Sequence, residues 1–228
     1  KFILKNHCKL LLIVYLRTFF KNQKLTLYAL SEMKIKNASN VLIDINEKNF
    51  LHGGLIVGNR IPRDYFITRG TGQSDIAIHA GSYHLALKEA GIEMANIMTY
   101  SSILPAIANK IDKPNQIIHG SVMESIMSVC NGGQGERCSA GIVYGWLYDR
   151  ETKQRYGGLV CEHYGNYSEE ELELKLMASL DELYYNGFEE NYSISDIELI
   201  RESFVPEKLY GTALVALCFT NYVYPVIG

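Results

Sequence analysis

At 228 residues, with 47% hydrophobic and 21% charged residues, the chain has the length and composition of one moderately large globular domain. Its net charge of -3 leaves no basic footprint for nucleic acid, so the expected partners are small molecules or further copies of the chain. The five cysteines, Cys8, Cys130, Cys138, Cys161 and Cys218, are odd in number and lack CxxC spacing, which argues against a disulfide framework or a zinc site and for a reducing cytoplasm.

The first 32 residues are rich in Lys, Leu and Phe, and their one long apolar run is "LLLIVYL" from Leu10 to Leu16. Seven residues are too few to cross a membrane, which takes about 20. Arg17, Phe19, Phe20 and Lys21 stand where a signal peptide needs small residues for cleavage. Met33 reads as a natural start, residues 1–32 as an atypical extension outside the fold, and 33–228 as a single domain. No membrane association is expected.

Along the domain, "GLIVGNRIPRDYFITR" (54–69) carries two short apolar runs split by Gly58, Asn59 and Pro62, a strand and turn. "GTGQSD" follows and reads as a flexible turn, since no Lys completes a phosphate loop. In "GSYHLALKEA" (81–90), Tyr83, Leu85, Ala86 and Ala90 fall near helical spacing, with Ser82 as a cap and Gly91 as the stop. A strand begins at Asn96. "QIIHGSVMESIMSV" (116–129), "CSAGIVYGWLY" (138–148) and "YGGLVCEHYG" (156–165) read as a β-meander, Asn131-Gly132 being a hairpin signal. Ser168 with Glu171 announces a capping box for the longest helix, whose buried stripe is Leu172, Leu176, Leu180 and Leu183. "SDIELIRESFVP" is a further strand. "YGTALVALCFTNYVYP" is an apolar run open to strand or helix, and its bounding Gly211 and Pro225 favour strand. The class is α+β, strands dominating with two or more covering helices.

Several side chains carry possible chemistry. Cys161 and His163 share one face of a strand, but Leu159 shares it too, and no Gly-x-Ser-x-Gly elbow accompanies any serine, so Cys161 reads as core. His79, His84, His119 and His163 lack ligand spacing. Glu162 lies on the opposite face of that strand; in a closed pocket its pKa would rise towards neutrality and suit a general acid, whereas on the wet side of a sheet it would be ordinary. Glu124 poses the same choice. "NIMTYSSILP" (96–105) puts Ser101 and Ser102 between a strand and a proline, though one Ser-Ser step is expected by chance on the order of once in such a chain. A serine hydroxyl behind a strained peptide can attack the preceding carbonyl and, after elimination and hydrolysis, leave a pyruvoyl ketone. Asn96 shares the strand parity of Ser102 and is a candidate oxyanion donor.

"AGIEMANIMTYSSILP", "HGSVMESIM", "AGIVYGWLYD" and "YGGLVCEHYG" together resemble the pyruvoyl-dependent arginine decarboxylases, from about Gly58 to the C-terminus. The resemblance implies self-cleavage between Ser101 and Ser102, a covalent pyruvoyl cofactor derived from Ser102, and Glu162 as proton donor with Asn96 assisting. It further implies a four-layer αββα sandwich, built into a homo-oligomeric trimer or pair of trimers with active sites between subunits, and conversion of arginine to agmatine. One departure concerns the guanidinium: where such relatives carry an acid in the helix before "AGI", this chain has His84, a poor substitute for a bidentate carboxylate. Asp75 is the candidate to supply that charge. Another amino-acid substrate such as histidine, or an uncleaved oligomer without activity, remain the alternatives.

Overall fold

The computed structural model describes residues 58–226, so the expectations for residues 1–32 and for Met33 lie outside the described residues. Strand β1 (Ile61–Ser74) leads through a π-helical turn (Ile78–Tyr83) into helix α1 (His84–Ala90) and then strands β2 (Asn96–Thr99), β3 (Ile103–Pro105) and β4 (Asn109–Lys110). Strands β5 (Val122–Gly133), β6 (Cys138–Asp149) and β7 (Arg155–Gly165), helix α2 (Glu169–Gly187), and strands β8 (Tyr192–Phe204) and β9 (Tyr210–Val223) follow. They form a mixed α+β fold with two sheets, one ordered β2-β5-β9-β1-β4 and the other β3-β7-β6-β8.

Three buried clusters hold these elements. Tyr65, Ile126, Val215, Leu217 and Phe219 of the first sheet meet Leu104, Ile142, Tyr144, Trp146 and Val160 of the second. Phe66, Leu214, Ala216 and Cys218 pack with Ala86, Leu87 and Ala90 of α1. Val143, Leu147 and Leu159 pack with Leu172, Leu176, Leu180 and Tyr184 of α2. The run from Gly211 to Phe219 is buried without alternation because β9 lies centrally and contributes to clusters on both sides of its sheet. It is a strand, as its flanking Gly and Pro suggested.

The expected capping box is present: Ser168 Oγ accepts from Glu171 N at 3.2 Å, and Glu171 Oε2 accepts from Ser168 N at 3.0 Å. The stripe differs by one residue. Tyr184 completes it, and Leu183 is turned outward into a cavity described below.

Four further readings are corrected. "GTGQSD" is no free turn: Gly70 to Ser74 belong to β1, where the glycines let the π-helical turn and α1 lie directly on the strand. A Cβ at Gly70 would sit 2.4 Å from Ala86 O and one at Gly72 2.1 Å from Ser82 O. Ser82 caps nothing; it is buried and shares a 2.8 Å hydrogen bond with Thr212 Oγ1. In α1 itself Leu87 is buried and Leu85 exposed, because the tighter-packed face begins later than the sequence spacing implied. Asn131-Gly132 does not close a hairpin: β5 pairs with β2 and β9 while β6 pairs with β7 and β8, so the chain changes sheets there. Of the meander's pairing only that of β6 with β7 remains.

Candidate functional site

The strand that starts at Asn96 ends at Thr99, short of the serines, because the chain leaves one sheet for the other. Tyr100 N still donates to Ser125 O at 2.8 Å, the last contact with β5. Two residues later Ser102 O accepts from Val160 N at 3.1 Å, the first contact with β7. The Ser101–Ser102 peptide therefore lies in the link between two sheets, with each side anchored to a different one. Within that link Ile103 N donates to Ser101 O at 3.0 Å, a bond from residue i+2 back to residue i that closes a three-residue turn around Ser102.

Across this turn stands Glu162. Ser102 Oγ donates to its carboxylate, 3.0 Å from Oε2 and 3.2 Å from Oε1. Leu159 pairs with Ile103, but β7 runs on beyond the end of β3, and there Glu162 faces a cavity of ≈ 530 Å³. Its walls are Ser102, Val160, Cys161 and Glu162 from the sheet and Ser179, Glu182, Leu183 and Asn186 from α2. The helical residues recur at three- and four-residue spacing, one face of the helix. Among the described residues, two carboxylates line this cavity and no Lys, Arg or His does.

Burial raises the pKa of Glu162 above the ordinary carboxylate range, and the hydrogen bond from Ser102 partly opposes the rise. The sequence left open whether this residue was wet or enclosed; the structure half-buries it beside a hydroxyl at the edge of an open cavity. Cys161 is pushed up to about 11 by burial and by the neighbouring Glu162 charge, so it stays a thiol, and His163 hydrogen-bonds through Nε2 to Ser179 Oγ at 2.7 Å. The two form no nucleophilic pair.

The other candidates lie elsewhere in this chain. Asn96 is exposed on the outer strand of its sheet and donates through Nδ2 to Gly120 O at 3.0 Å. Asp75 accepts from Leu209 N at 3.3 Å and faces Lys208 Nζ at 3.7 Å. His84 is exposed at the first turn of α1. None of the three lines the cavity with Ser102. Glu124 is buried against the Arg60 guanidinium, whose Nε donates to its Oε2 at 3.1 Å, and it does not line that cavity either.

Sequence reasoning missed Glu182, Ser179 and Asn186, whose only signal was helical spacing beside the leucine stripe. It also missed the Ile103 N–H, a backbone group that no residue identity announces.

The profile of the pyruvoyl-dependent arginine decarboxylase family matches residues 64–224. Over 118 residues the chain is 31% identical to the pyruvoyl-dependent arginine decarboxylase of Methanococcoides burtonii, an alignment covering 45% of this chain and 64% of the relative. A probable pyruvoyl-dependent arginine decarboxylase of Chlorobaculum parvum is 29% identical over 119 residues, covering 48% and 65%. Pyruvoyl-dependent arginine decarboxylase 1 of Archaeoglobus fulgidus is 31% identical over 86 residues, covering 36% and 54%. The chain thus spans less than two thirds of the length of these relatives. Matched by the profile over most of its length, the chain belongs to the pyruvoyl-dependent arginine decarboxylase family, whose cofactor is a covalently bound pyruvoyl group.

Proposed function

We propose that the chain cleaves itself between Ser101 and Ser102 and then decarboxylates arginine to agmatine and carbon dioxide. The observation that carries this reading is the Ser102 hydroxyl, inside a three-residue turn, held on a half-buried carboxylate. In self-cleavage Ser102 Oγ bonds to the Ser101 carbonyl carbon as the amide C–N bond breaks, converting the peptide into an ester. Loss of the Ser102 Cα proton then expels the Ser101 carboxylate from Cβ. Water replaces the nitrogen of the resulting enamine, releasing ammonia and leaving a keto group at the new N-terminus.

The residues around Ser102 fit that group: the turn exposes the bond to be cut, the carboxylate sits on the attacking oxygen, and the cavity leaves room for a substrate. When present, the pyruvoyl group supplies an electrophilic carbonyl that captures the substrate amine and takes up electrons as carbon dioxide leaves. Glu162, whose pKa burial raises above the ordinary carboxylate range, then supplies from a carboxyl oxygen the proton that the substrate carbon needs after carbon dioxide has gone. Glu182, on the helical wall, presents a carboxylate to a cationic side chain and supports a guanidinium substrate over a neutral one. Histidine is the competing substrate, favoured by His84 where an acid was expected.

The proposal extends to assembly and location. Three buried clusters, helix on sheet, sheet on sheet and sheet on helix, support a four-layer αββα order. The outer strand β2 carries Met98 at 53% exposure, Val122 beside it is 61% exposed, and Ile103 beyond the serines is 67% exposed. Such an apolar edge supports burial against another copy, as a trimer or a pair of trimers. In that assembly Asn96, Asp75 and His84 serve the Ser102 site of a neighbouring copy. Cys130, Cys138, Cys161 and Cys218 are free thiols, which supports a cytoplasmic setting. Among the described residues no helix is long and apolar enough to cross a membrane.

Product analysis with arginine, histidine, lysine and ornithine, run beside a denaturing gel, tests the reading. Agmatine from arginine with two fragments on the gel supports it. Cleavage with histamine as the product would move the substrate to histidine, and an intact inactive chain would refute it.

A further inference from the structure

From the turn around Ser102 we infer that the peptide N–H of Ile103 is the oxyanion donor for self-cleavage, acting from within the same chain. The inference rests on the cleavage reading above and adds a catalytic group to it.

As Ser102 Oγ adds to the Ser101 carbonyl carbon, the carbonyl oxygen takes up the negative charge, and a donor preset at that oxygen lowers the barrier. Useful donors sit about 2.7–3.1 Å from the oxyanion. Ile103 N is 3.0 Å from Ser101 O, and among the described residues it is the donor on that oxygen. Asn96, the side chain expected in this role, donates instead to Gly120 O in this chain.

Three features hold the Ile103 N–H in place. Val160 N fixes the Ser102 carbonyl at 3.1 Å, so the plane of the Ser102–Ile103 peptide is set by β7. Ile103 enters β3 opposite Leu159, which fixes where its own peptide begins. On the other side of the bond Tyr100 N is tied to Ser125 O at 2.8 Å. With both flanks held by different sheets, the turn cannot relax without breaking a contact to one of them. The Ile103 side chain is largely exposed and does no packing that would explain the position.

The step balances. The Ser102 hydroxyl proton, already hydrogen-bonded to Glu162, passes to it as the new C–O bond forms. The C–N bond then breaks and that proton goes to the departing Ser102 nitrogen. Charge develops at one oxygen only, Ser101 O, and the Ile103 N–H is the group that meets it.

Two variants remove the N–H. Ile103→Pro deletes it at a position whose N–H is committed to Ser101 O. Replacing Ile103 by its α-hydroxy acid analogue turns the amide into an ester and keeps the same side chain. Self-cleavage is followed by intact mass in time courses after synthesis, with thermal unfolding as the check on folding. Loss of one oxyanion donor slows such steps by about 10²–10³-fold, so both variants should accumulate as folded, full-length chain. If the ester variant cleaves at the wild-type rate, the Ile103 N–H is not the donor, although cleavage itself stands. If the wild-type chain does not cleave, the cleavage reading fails and this inference falls with it.

Discussion

Two glutamates occupy matching places in the two sheets. Glu124 shares the parity of Ile126 on β5, and Glu162 that of Val160 on β7; both of those neighbours belong to the core between the sheets. Both carboxylates are therefore carried inward by their strands, yet their partners differ. Glu124 meets the Arg60 guanidinium in an ion pair. Glu162 meets a serine hydroxyl and a cavity, so burial is uncompensated by any cation and its pKa rises. An acid carried inward without a cation beside it has its pKa raised, whereas the same residue type on the same kind of strand beside a guanidinium is a structural anchor.

The most drastic way to break the comparison is to remove the hydroxyl. Ser102→Ala should leave one full-length chain by intact mass, with no residual cleavage. Next, Glu162→Gln keeps the hydrogen-bond acceptor but cannot carry the proton. Turnover and self-cleavage should each fall by about 10²–10⁴-fold, since both use this carboxylate for proton transfer; a normal rate in either would remove Glu162 from that step.

The raised pKa also has a sign that can be measured. Self-cleavage needs Glu162 ionised to accept the hydroxyl proton, so its rate should climb as pH rises through that pKa. Decarboxylation needs Glu162 protonated, so its rate should fall over a similar window. The Ser102 hydrogen bond lowers the pKa and is lost on cleavage, so the turnover midpoint should lie at or above the cleavage midpoint, and both above the ordinary range for Glu. Rate profiles for the two steps check this; parallel limbs would contradict it.

On the other side of the comparison, Arg60→Met leaves Glu124 buried without its cation. A loss of about 1–3 kcal/mol is expected, softened because the Arg60 side chain is 44% exposed. Denaturant unfolding measures it, and cleavage should continue. The smallest effect is reserved for Glu182→Gln, which should raise KM for arginine about fivefold, for roughly 1 kcal/mol of charge pairing, with kcat little changed.

Much of this fold was readable in the sequence where the signal is local. Ser168 with Glu171 and the leucines at 172, 176 and 180 specify a capped amphipathic helix without help from the rest of the chain. Where the outcome depends on a distant element, the sequence misleads. Asn131-Gly132 has hairpin chemistry, but nothing local says that the strands on either side join different sheets. Gly70 and Gly72 look like a loop because the helix backbone that needs their missing side chains arrives later in the chain. The site divides in the same way. Ser102 and Glu162 were identified from motifs, but neither residue states that the other's side chain lies within hydrogen-bond reach. Strand chemistry alone leaves Glu124 and Glu162 alike and only the family resemblance separates them; the Arg60 guanidinium on Glu124 supplies the physical difference. Asn96 and Ser102 seemed to share a strand because parity was counted through Tyr100, where the chain in fact turns towards the second sheet.

The central claim is that the Ser102 hydroxyl cuts the peptide bond ahead of it and leaves a carbonyl. Denaturing intact-mass measurement on the purified protein, before and after treatment with a hydrazine, tests this most directly. The account predicts two fragments, one ending at Ser101 and one beginning at the residue made from Ser102, with only the second gaining a single hydrazone. One uncut chain that gains none would contradict it.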